Sequence, residues 1–446
     1  MAFRHPGSLT LAAIFRQWPR VVAGVRTFSA TSSNRAAAIF SNGPSRPKIM
    51  TSSLPRPKVK GGLAELEEVF DTRSANISVD YKRSTGNYLV DADGNTFLDL
   101  EELTNYAYFM HKFAQIASIP LEDDNPELNR ASVSPVMVRA IASRPALGRF
   151  PSADYADLLK TGTLKAAPQG LNQVFTATTG SDANETAYKA GFHGSLSESL
   201  STTRSKPIHK FDLPAFDWFV VPLPQFQYPL DQFATENAAE EKRCLEETEL
   251  VLDEANDTVA AVVIEPVQAG GSDNHASPAF FRGLLALNKR KSVLTIADEV
   301  QTGVGATGKF WAHEHWNLPS PPDMVTFSKT AQAAGFSSAT LVYGLTSRTG
   351  SSNTWVGDLV RALLFKAIYG EIEKHGLVEQ TARIGSHLYR ELEALADKYP
   401  QNVLNPRGKD RGTFIAWDSD IFLDVLGRGI QAAIVGPAIA RDTSRT

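Results

Sequence analysis

Three short apolar, β-branched runs each end on an ionisable residue, and nothing else in the chain restricts its fold as tightly. Val259 to Ile264 ends at Glu265-Pro266, Val293 to Ala297 at Asp298-Glu299, and Met324 to Phe327 at Ser328-Lys329. Between the first two runs, Ser277-Pro278 reads as an N-cap and first helical residue, opening a helix that carries Phe281, Leu284, Leu285 and Leu287. Strand–helix–strand order predicts an α/β fold, a mainly parallel sheet flanked by helices. In such sheets the ligand crevice lies outside the carboxyl ends of the strands. Glu265, Asp298 and Lys329 are therefore expected to converge on one cleft. For any one of them, a merely polar strand end is the alternative. Further upstream, Tyr88 to Asp91 and Thr96 to Asp99 flank Asp93-Gly94-Asn95 and read as a β-hairpin.

The 446 residues are enough for two to three domains. With 42% hydrophobic and 21% charged residues, the chain can bury a large core, which excludes disorder throughout. The single cysteine, Cys244, excludes an intrachain disulfide and any zinc or iron–sulfur site built on cysteines. No run approaches the roughly 18 apolar residues of a membrane-spanning helix. Residues 1–64 hold ten basic residues and no acid, while the remainder carries 35 basic and 49 acidic residues, or −14. An acidic body argues against general nucleic-acid binding.

Residues 1–60 form a tail rich in Arg, Ser, Ala and Pro. Arg4, Arg16, Arg20 and Arg26 alternate with Leu9, Leu11, Ile14, Phe15, Val21 and Val22. This is the composition of a mitochondrial transit peptide, with Arg26-Thr27-Phe28-Ser29 resembling a matrix-protease site, and it predicts a matrix location. The alternative is a disordered tail without an address on a cytoplasmic protein.

Several motifs bear on chemistry. Ala177-Thr178-Thr179-Gly180-Ser181 precedes a helical pattern, and a helix N-terminus suits phosphate. Gly303-Val304-Gly305-Ala306-Thr307-Gly308 fits G-x-G-x-x-G, but Asp323 precedes its strand instead of ending it, which argues against a dinucleotide site. His313 and His315 bracket Glu314; alternate residues share a face only on a strand, so no metal site is expected there. The specific signal is Asp298-Glu299-Val300-Gln301-Thr302-Gly303 with Lys329 one strand on. That pairing suits pyridoxal phosphate. Its aldehyde needs a lysine amine for a Schiff base, its ring nitrogen a carboxylate, and its phosphate a helix N-terminus.

The stretches GSDANETAYKA, LSTTRSKPIHK, IEPVQAGGSDNHASPAFFRGL, ADEVQTGVGATGKFWAHEHWNL, PPDMVTFSK, NTW and RGTFIAWDS resemble the class III aminotransferases of pyridoxal-phosphate fold type I, above all their fungal 4-aminobutyrate-using members. The resemblance spans roughly residues 60–420. It implies that Lys329 forms the Schiff base and then shuttles protons. Asp298 would hold the ring nitrogen, Val300 one ring face, Gln301 the ring hydroxyl, and Gly180 and Ser181 the phosphate. Phe192 would cover the other ring face. Thr354 would reach the phosphate of a partner subunit, implying a homodimer. Glu265 would face substrate. The implied reaction moves the amine of 4-aminobutyrate to 2-oxoglutarate, giving succinate semialdehyde and glutamate. The implied organisation is a large cofactor domain over 136–350, with a small α+β domain combining 61–135 and 351–446.

The chain departs from that family at four places. GSDANETAYKA runs almost directly into Gly191-Phe192-His193-Gly194, where the family has several dozen more residues. Ser195 stands where the family places an arginine for the substrate carboxylate. Gly270 replaces a common glutamate, and the ending after about Asp420 differs. An extra stretch, Glu101 to Lys112, reads as a loop insertion. A second reading is therefore a folded but catalytically impaired homologue, or a mis-spliced product lacking the substrate-binding arginines.

Overall fold

The computed structural model describes residues 47–50, 57–72, 77–99, 121, 123–143, 150–190, 201–202, 216–256, 258–269, 273–339, 356–419, 434–435 and 440–441. The hairpin around Gly94 is β1 (Tyr88–Val90) and β2 (Thr96–Asp99), antiparallel, with Leu89 opposite Phe97. Gly94 turns the chain at φ +86, a conformation residues with a Cβ rarely adopt. The Asp91 carboxylate ties the turn by accepting the N–H groups of Asp93 (3.0 Å) and Asn95 (2.8 Å).

The central sheet contains β3 (Gln173–Ala177), β4 (Ala261–Ile264), β5 (Leu294–Asp298), β6 (Met324–Phe327) and β7 (Ala334–Ser338), in the spatial order β3-β7-β6-β5-β4. The three strand-end runs thus become neighbours: β4, β5 and β6 lie side by side and parallel, with Val263 opposite Ile296 and Ala297 opposite Val325. The sheet is mixed, because β7 runs antiparallel to both β6 and β3. Strand β7 reads Ala-Gly-Phe-Ser-Ser, small and polar, and carries no β-branched signal; both flanking strands bury it completely.

Helices cover this sheet. α1 (Gly180–Ala190) follows β3, α2 (Ala234–Glu254) precedes β4, and α3 (Pro278–Arg290) joins β4 to β5. The Ser277 hydroxyl caps α3 by accepting from the N–H groups of Ala279 (3.1 Å) and Phe280 (3.2 Å). Its buried face is Phe280, Phe281, Leu284 and Leu287, while Leu285 is half-buried. Phe281 stacks on Trp316 at 4.2 Å between ring centroids. Trp311, Val325 and Phe327 belong to the same core, and so do Phe365 and Ile368 from α4 (Leu359–His375). Each such side chain contributes about 1.5–3 kcal/mol through burial, so this one cluster fixes the height of β6 against the helices. α5 (Leu377–Lys398) follows α4 across Gly376.

Two small sheets complete the described fold. β8 (Leu404–Arg407) pairs with β9 (Ala416–Asp418), and β11 (Ala440–Arg441) adds to β9. β10 (Ile434–Val435) pairs parallel with β2, Ile434 lying opposite Leu98. All of these elements belong to one compact unit, residues 44–446.

Gly335 shows how close the central strands come. A Cβ at this position would overlap the Phe175 carbonyl of β3 and lie 3.1 Å from the Phe327 ring. Backbone cannot yield as a flexible side chain can. Gly335→Ala is expected to lower stability by about 1–3 kcal/mol, read as a reduced urea midpoint with an unchanged slope.

Candidate active site

Asp298 ends β5 and Lys329 follows β6, so the parallel register brings both to the same sheet edge, with Asp298 opposite Thr326. Glu265 follows β4 beside them. Their charges act on one another, as the sequence pattern led us to expect.

Lys329 starts a short 3-10 turn, Lys329–Ala331, at φ +41. A non-glycine residue there costs about 1–3 kcal/mol and persists only when its surroundings hold it. Two bonds do so: the Gln332 N–H donates to the Lys329 carbonyl at 2.8 Å, and Arg361 Nη1 donates to the Gln332 carbonyl at 3.0 Å. The Lys329 ammonium donates to Gln301 Oε1 at 3.1 Å. Burial pulls its pKa down to about 8, against the opposing charges of Asp298 and Glu265.

The Asp298 carboxylate accepts three neutral donors. Asn184 Nδ2 reaches Oδ2 at 2.7 Å, while the Val300 N–H (3.1 Å) and Thr326 Oγ1 (3.3 Å) reach Oδ1. Burial raises its pKa, and the Val300, Asn184, Lys329 and Thr326 interactions oppose that rise. Glu265 lies where water reaches its side chain, yet protein crowds it closely on its other sides. This enclosure, then the Asp298 charge, pushes its carboxyl up to about 7, with Lys329 opposing. The access of water limits how far the rise goes.

Val300 and Gln301 share the loop after β5. Val300 meets α1 at its first residue: a Cβ on Gly180 would lie 2.5 Å from Val300 Cγ1, so glycine alone lets the helix N-terminus approach this loop. The Thr178 N–H donates to the Asp182 carboxylate at 2.9 Å, and the Asp182 N–H to Thr179 Oγ1 at 3.2 Å. These bonds shape the turn so that α1 begins at the site. Gly180 and Ser181 are therefore placed beside the Asp298 loop. Phe192, Ser195, Gly270 and Thr354 lie outside the described residues, as do residues 1–46 and 101–112. α1 runs to Ala190, ten steps from Gly180 or about 15 Å along its axis.

Sequence reasoning did not single out Asn184, Thr326 or Glu299. The signal for Asn184 was its spacing, four residues after Gly180 and so on the same helical face. Glu299 is fully buried and turns away from Asp298. It accepts the N–H groups of Ala312 (2.7 Å) and His313 (2.8 Å) and the Thr302 hydroxyl (3.2 Å), and lies 2.6 Å from His313 Nδ1. His315 instead contacts the Thr307 carbonyl (3.1 Å) and Arg411 (3.3 Å), so the two histidines serve separate partners. Among the described residues no cluster of His, Cys, Asp and Glu could hold a metal ion. The glycines 303–308 form turns, and Asp323 accepts the Thr295 N–H at 2.8 Å, tying β5 to the segment before β6. A cavity of about 1050 Å³ lined by Lys165, Trp311, Glu314, Tyr369, Glu373 and Glu379 contains none of Glu265, Asp298 or Lys329. Its Glu373 is already engaged by Lys165 and Tyr369, so converging reactive groups, not cavity size, locate the site.

Because burial disfavours the ammonium, the reactive neutral amine of Lys329 should emerge as pH rises through about 8. Competitive acetylation of the cofactor-free protein, read by peptide mass spectrometry, should give that midpoint. A midpoint at the value of free lysine, about 10.4, would show that Lys329 is solvated.

The family model for aminotransferase class-III matches residues 69–433. The chain is 49% identical to the 4-aminobutyrate aminotransferase of Emericella nidulans, over 98% of this chain and 93% of that protein. That alignment extends over 484 residues, more than this chain's 446, so the relative carries residues missing here. Identity to the 4-aminobutyrate aminotransferase of Saccharomyces cerevisiae is 42%, over 84% of this chain and 86% of that one. Identity to the mitochondrial 4-aminobutyrate aminotransferase of Mus musculus is 35%, over 83% and 80%. Among solved structures, the lysine aminotransferase from M. tuberculosis in the internal aldimine form matches with a TM-score of 0.73 at 26% identity, over 85% of this chain and 92% of that one. With its strand-end Asp298 and Lys329 set on this mixed sheet, the chain belongs to the class III aminotransferases, the pyridoxal-phosphate enzymes of fold type I.

Proposed function

We propose that the chain is a 4-aminobutyrate:2-oxoglutarate aminotransferase, producing succinate semialdehyde and glutamate. The observation that carries this reading is the meeting of Lys329, Gln301 and Asp298 at one sheet edge in a chain 49% identical to an enzyme of that name.

The residues present fit pyridoxal phosphate. Gln301 Nε2 is shielded from solvent and lacks a partner among the described residues, while Oε1 of the same amide takes Lys329; the cofactor's ring hydroxyl is an acceptor that would satisfy it. Gly180 and Ser181, at the start of α1, would hold the phosphate with backbone N–H groups. Asp298 would hold a proton on the ring nitrogen, and Val300 would pack on one ring face. Bound there, the cofactor supplies a ring that accepts the electrons released when the substrate's C–H bond breaks. Lys329, with its pKa near 8, holds or releases a proton at Nζ close to neutral pH, as a proton shuttle must. Phe192 would cover the other ring face, and Thr354 would reach the phosphate of a partner subunit, making the enzyme a homodimer. Glu265 and Ser195 would face the substrate. We read residues 136–350 as the cofactor domain and 61–135 with 351–446 as the small domain, a division supported by the pairing of β2 with β10. The basic tail, together with relatives from Mus musculus and Caenorhabditis elegans named as mitochondrial, supports a matrix location.

A catalytically impaired homologue is the second reading, favoured by Ser195 and Gly270 where the family carries charged groups. The loaded protein, assayed with 4-aminobutyrate and 2-oxoglutarate, should release succinate semialdehyde, and borohydride reduction should label the Lys329 peptide. Labelling of a different lysine removes Lys329 from its role. Asp298→Asn should leave the fold intact and nearly abolish turnover.

With Ser195 in the place of the family's arginine, the substrate carboxylate would meet a hydroxyl instead of a guanidinium. A hydrogen bond to a charged group contributes about 1.5–3 kcal/mol, so kcat/KM should lie roughly 10- to 100-fold below that of the Emericella nidulans relative. Equal kcat/KM would show that another group binds the carboxylate.

A further inference from the structure

Asn184 stands one helical turn after Gly180 on α1, and its side chain crosses to β5 to meet Asp298 Oδ2 at 2.7 Å. The direction of this bond follows from chemistry: an ionised carboxylate only accepts, so the amide must present its NH2 group. The other end of the amide, Oδ1, is shielded from solvent and has no hydrogen-bond partner among the described residues. A buried carbonyl left unsatisfied works against stability. An apolar side chain of similar size would fill the space without that penalty. The bond to Asp298 is therefore what this side chain achieves that an apolar one could not.

The geometry around Asp298 gives that bond a distinct role. The Val300 N–H and Thr326 hydroxyl both act on Oδ1, which leaves Oδ2 to Asn184 among the described residues. Of the other two donors, Thr326 belongs to β6 and Val300 to the loop after β5, whereas Asn184 comes from the helix whose first turn lies at the proposed phosphate end. The titratable groups around Asp298 are Lys329, Glu265 and Tyr188, and the Lys329 ammonium bonds to Gln301 instead.

We propose that Asn184 is a positioning residue: it fixes the plane of the Asp298 carboxylate, keeps it ionised, and ties it at a set distance from the N-terminus of α1. The two ends of the cofactor cradle are then tied together by this amide as well as by the packing of Val300 on Gly180. This rests on the reading of Asp298 as the partner of the ring nitrogen.

The test uses pyridoxamine 5′-phosphate, which carries an amine in place of the aldehyde and so binds without a covalent link to Lys329. Its affinity for the cofactor-free full-length chain is read by tryptophan fluorescence in four proteins: unaltered, Asn184→Ala, Asp298→Asn and the double variant. Asn184→Ala should weaken binding about tenfold or more in the unaltered background, and by less than about twofold in the Asp298→Asn background. Equal weakening in both backgrounds, or none in either, overturns the proposal. If Asp298→Asn alone leaves affinity unchanged, the reading of Asp298 fails and this inference falls with it, a result distinct from the other two. Should Asn184→Ala fail to fold by circular dichroism, Asn184→Ser takes its place in the same cycle, with a smaller but equally background-dependent loss.

Discussion

A carboxylate at the end of a buried strand is costly unless donors surround it, and the arrangement around Asp298 follows from that constraint. Removing such a charge from water costs several kcal/mol even after relaxation. Here the compensation comes from one helix, one neighbouring strand and one loop, each contributing a neutral group. A direct ion pair with Lys329 would have compensated as well, but it would have occupied both reactive groups. Instead the lysine bonds to the Gln301 amide, and its amine keeps a pKa close to physiological pH. The edge of the sheet thus holds opposite charges near each other without letting them neutralise one another by contact.

The adjacent residue serves the opposite face. Successive side chains on a strand point to opposite sides, so Asp298 turns to the site while Glu299 turns into the core. There Glu299 gathers the Thr302 hydroxyl of its own loop, and two backbone N–H groups and an imidazole from the segment carrying Trp311 and Trp316. Those indoles lie in the same cluster as Phe281 and Phe327. The loop that presents Val300 and Gln301 is therefore anchored through Glu299 to the segment whose indoles pack in that cluster. Catalytic groups on a loop are placed accurately only when that loop is held in this way.

Much of this was legible in the sequence because it rests on local patterns. Runs of β-branched residues ending on Glu265, Asp298 and Lys329 located three strands, and Ser277-Pro278 marked the start of α3. The hairpin around Gly94 followed from turn chemistry. Strand β7 was not legible, because Ala334 to Ser338 becomes a strand only through its neighbours; tertiary pairing overrides composition there. Asn184 and Glu299 were missed for a related reason. Both are polar residues whose meaning depends on a partner distant in sequence, 114 residues away for Asn184 and Asp298. The sequence assigned His313 and His315 a structural role from their spacing and the lack of a further Cys/His cluster, yet the carboxylate that claims His313 could not be read from either.

The pairing of β2 with β10 has a consequence for how the chain is made. Leu98 must wait for Ile434 before that side of the strand is covered. At about 5–20 residues per second, a ribosome needs on the order of 20–70 s to deliver the later strand. Through that interval the β1–β2 hairpin presents an open edge, and an isolated hairpin is marginally stable in water. The central sheet waits less, since its strands all lie between Gln173 and Ser338, although β3 must also wait for β7, its partner among the described strands. Synthesis therefore favours a chain whose central sheet closes while its first strands still need protection, and that nascent edge is where a chaperone would find its substrate.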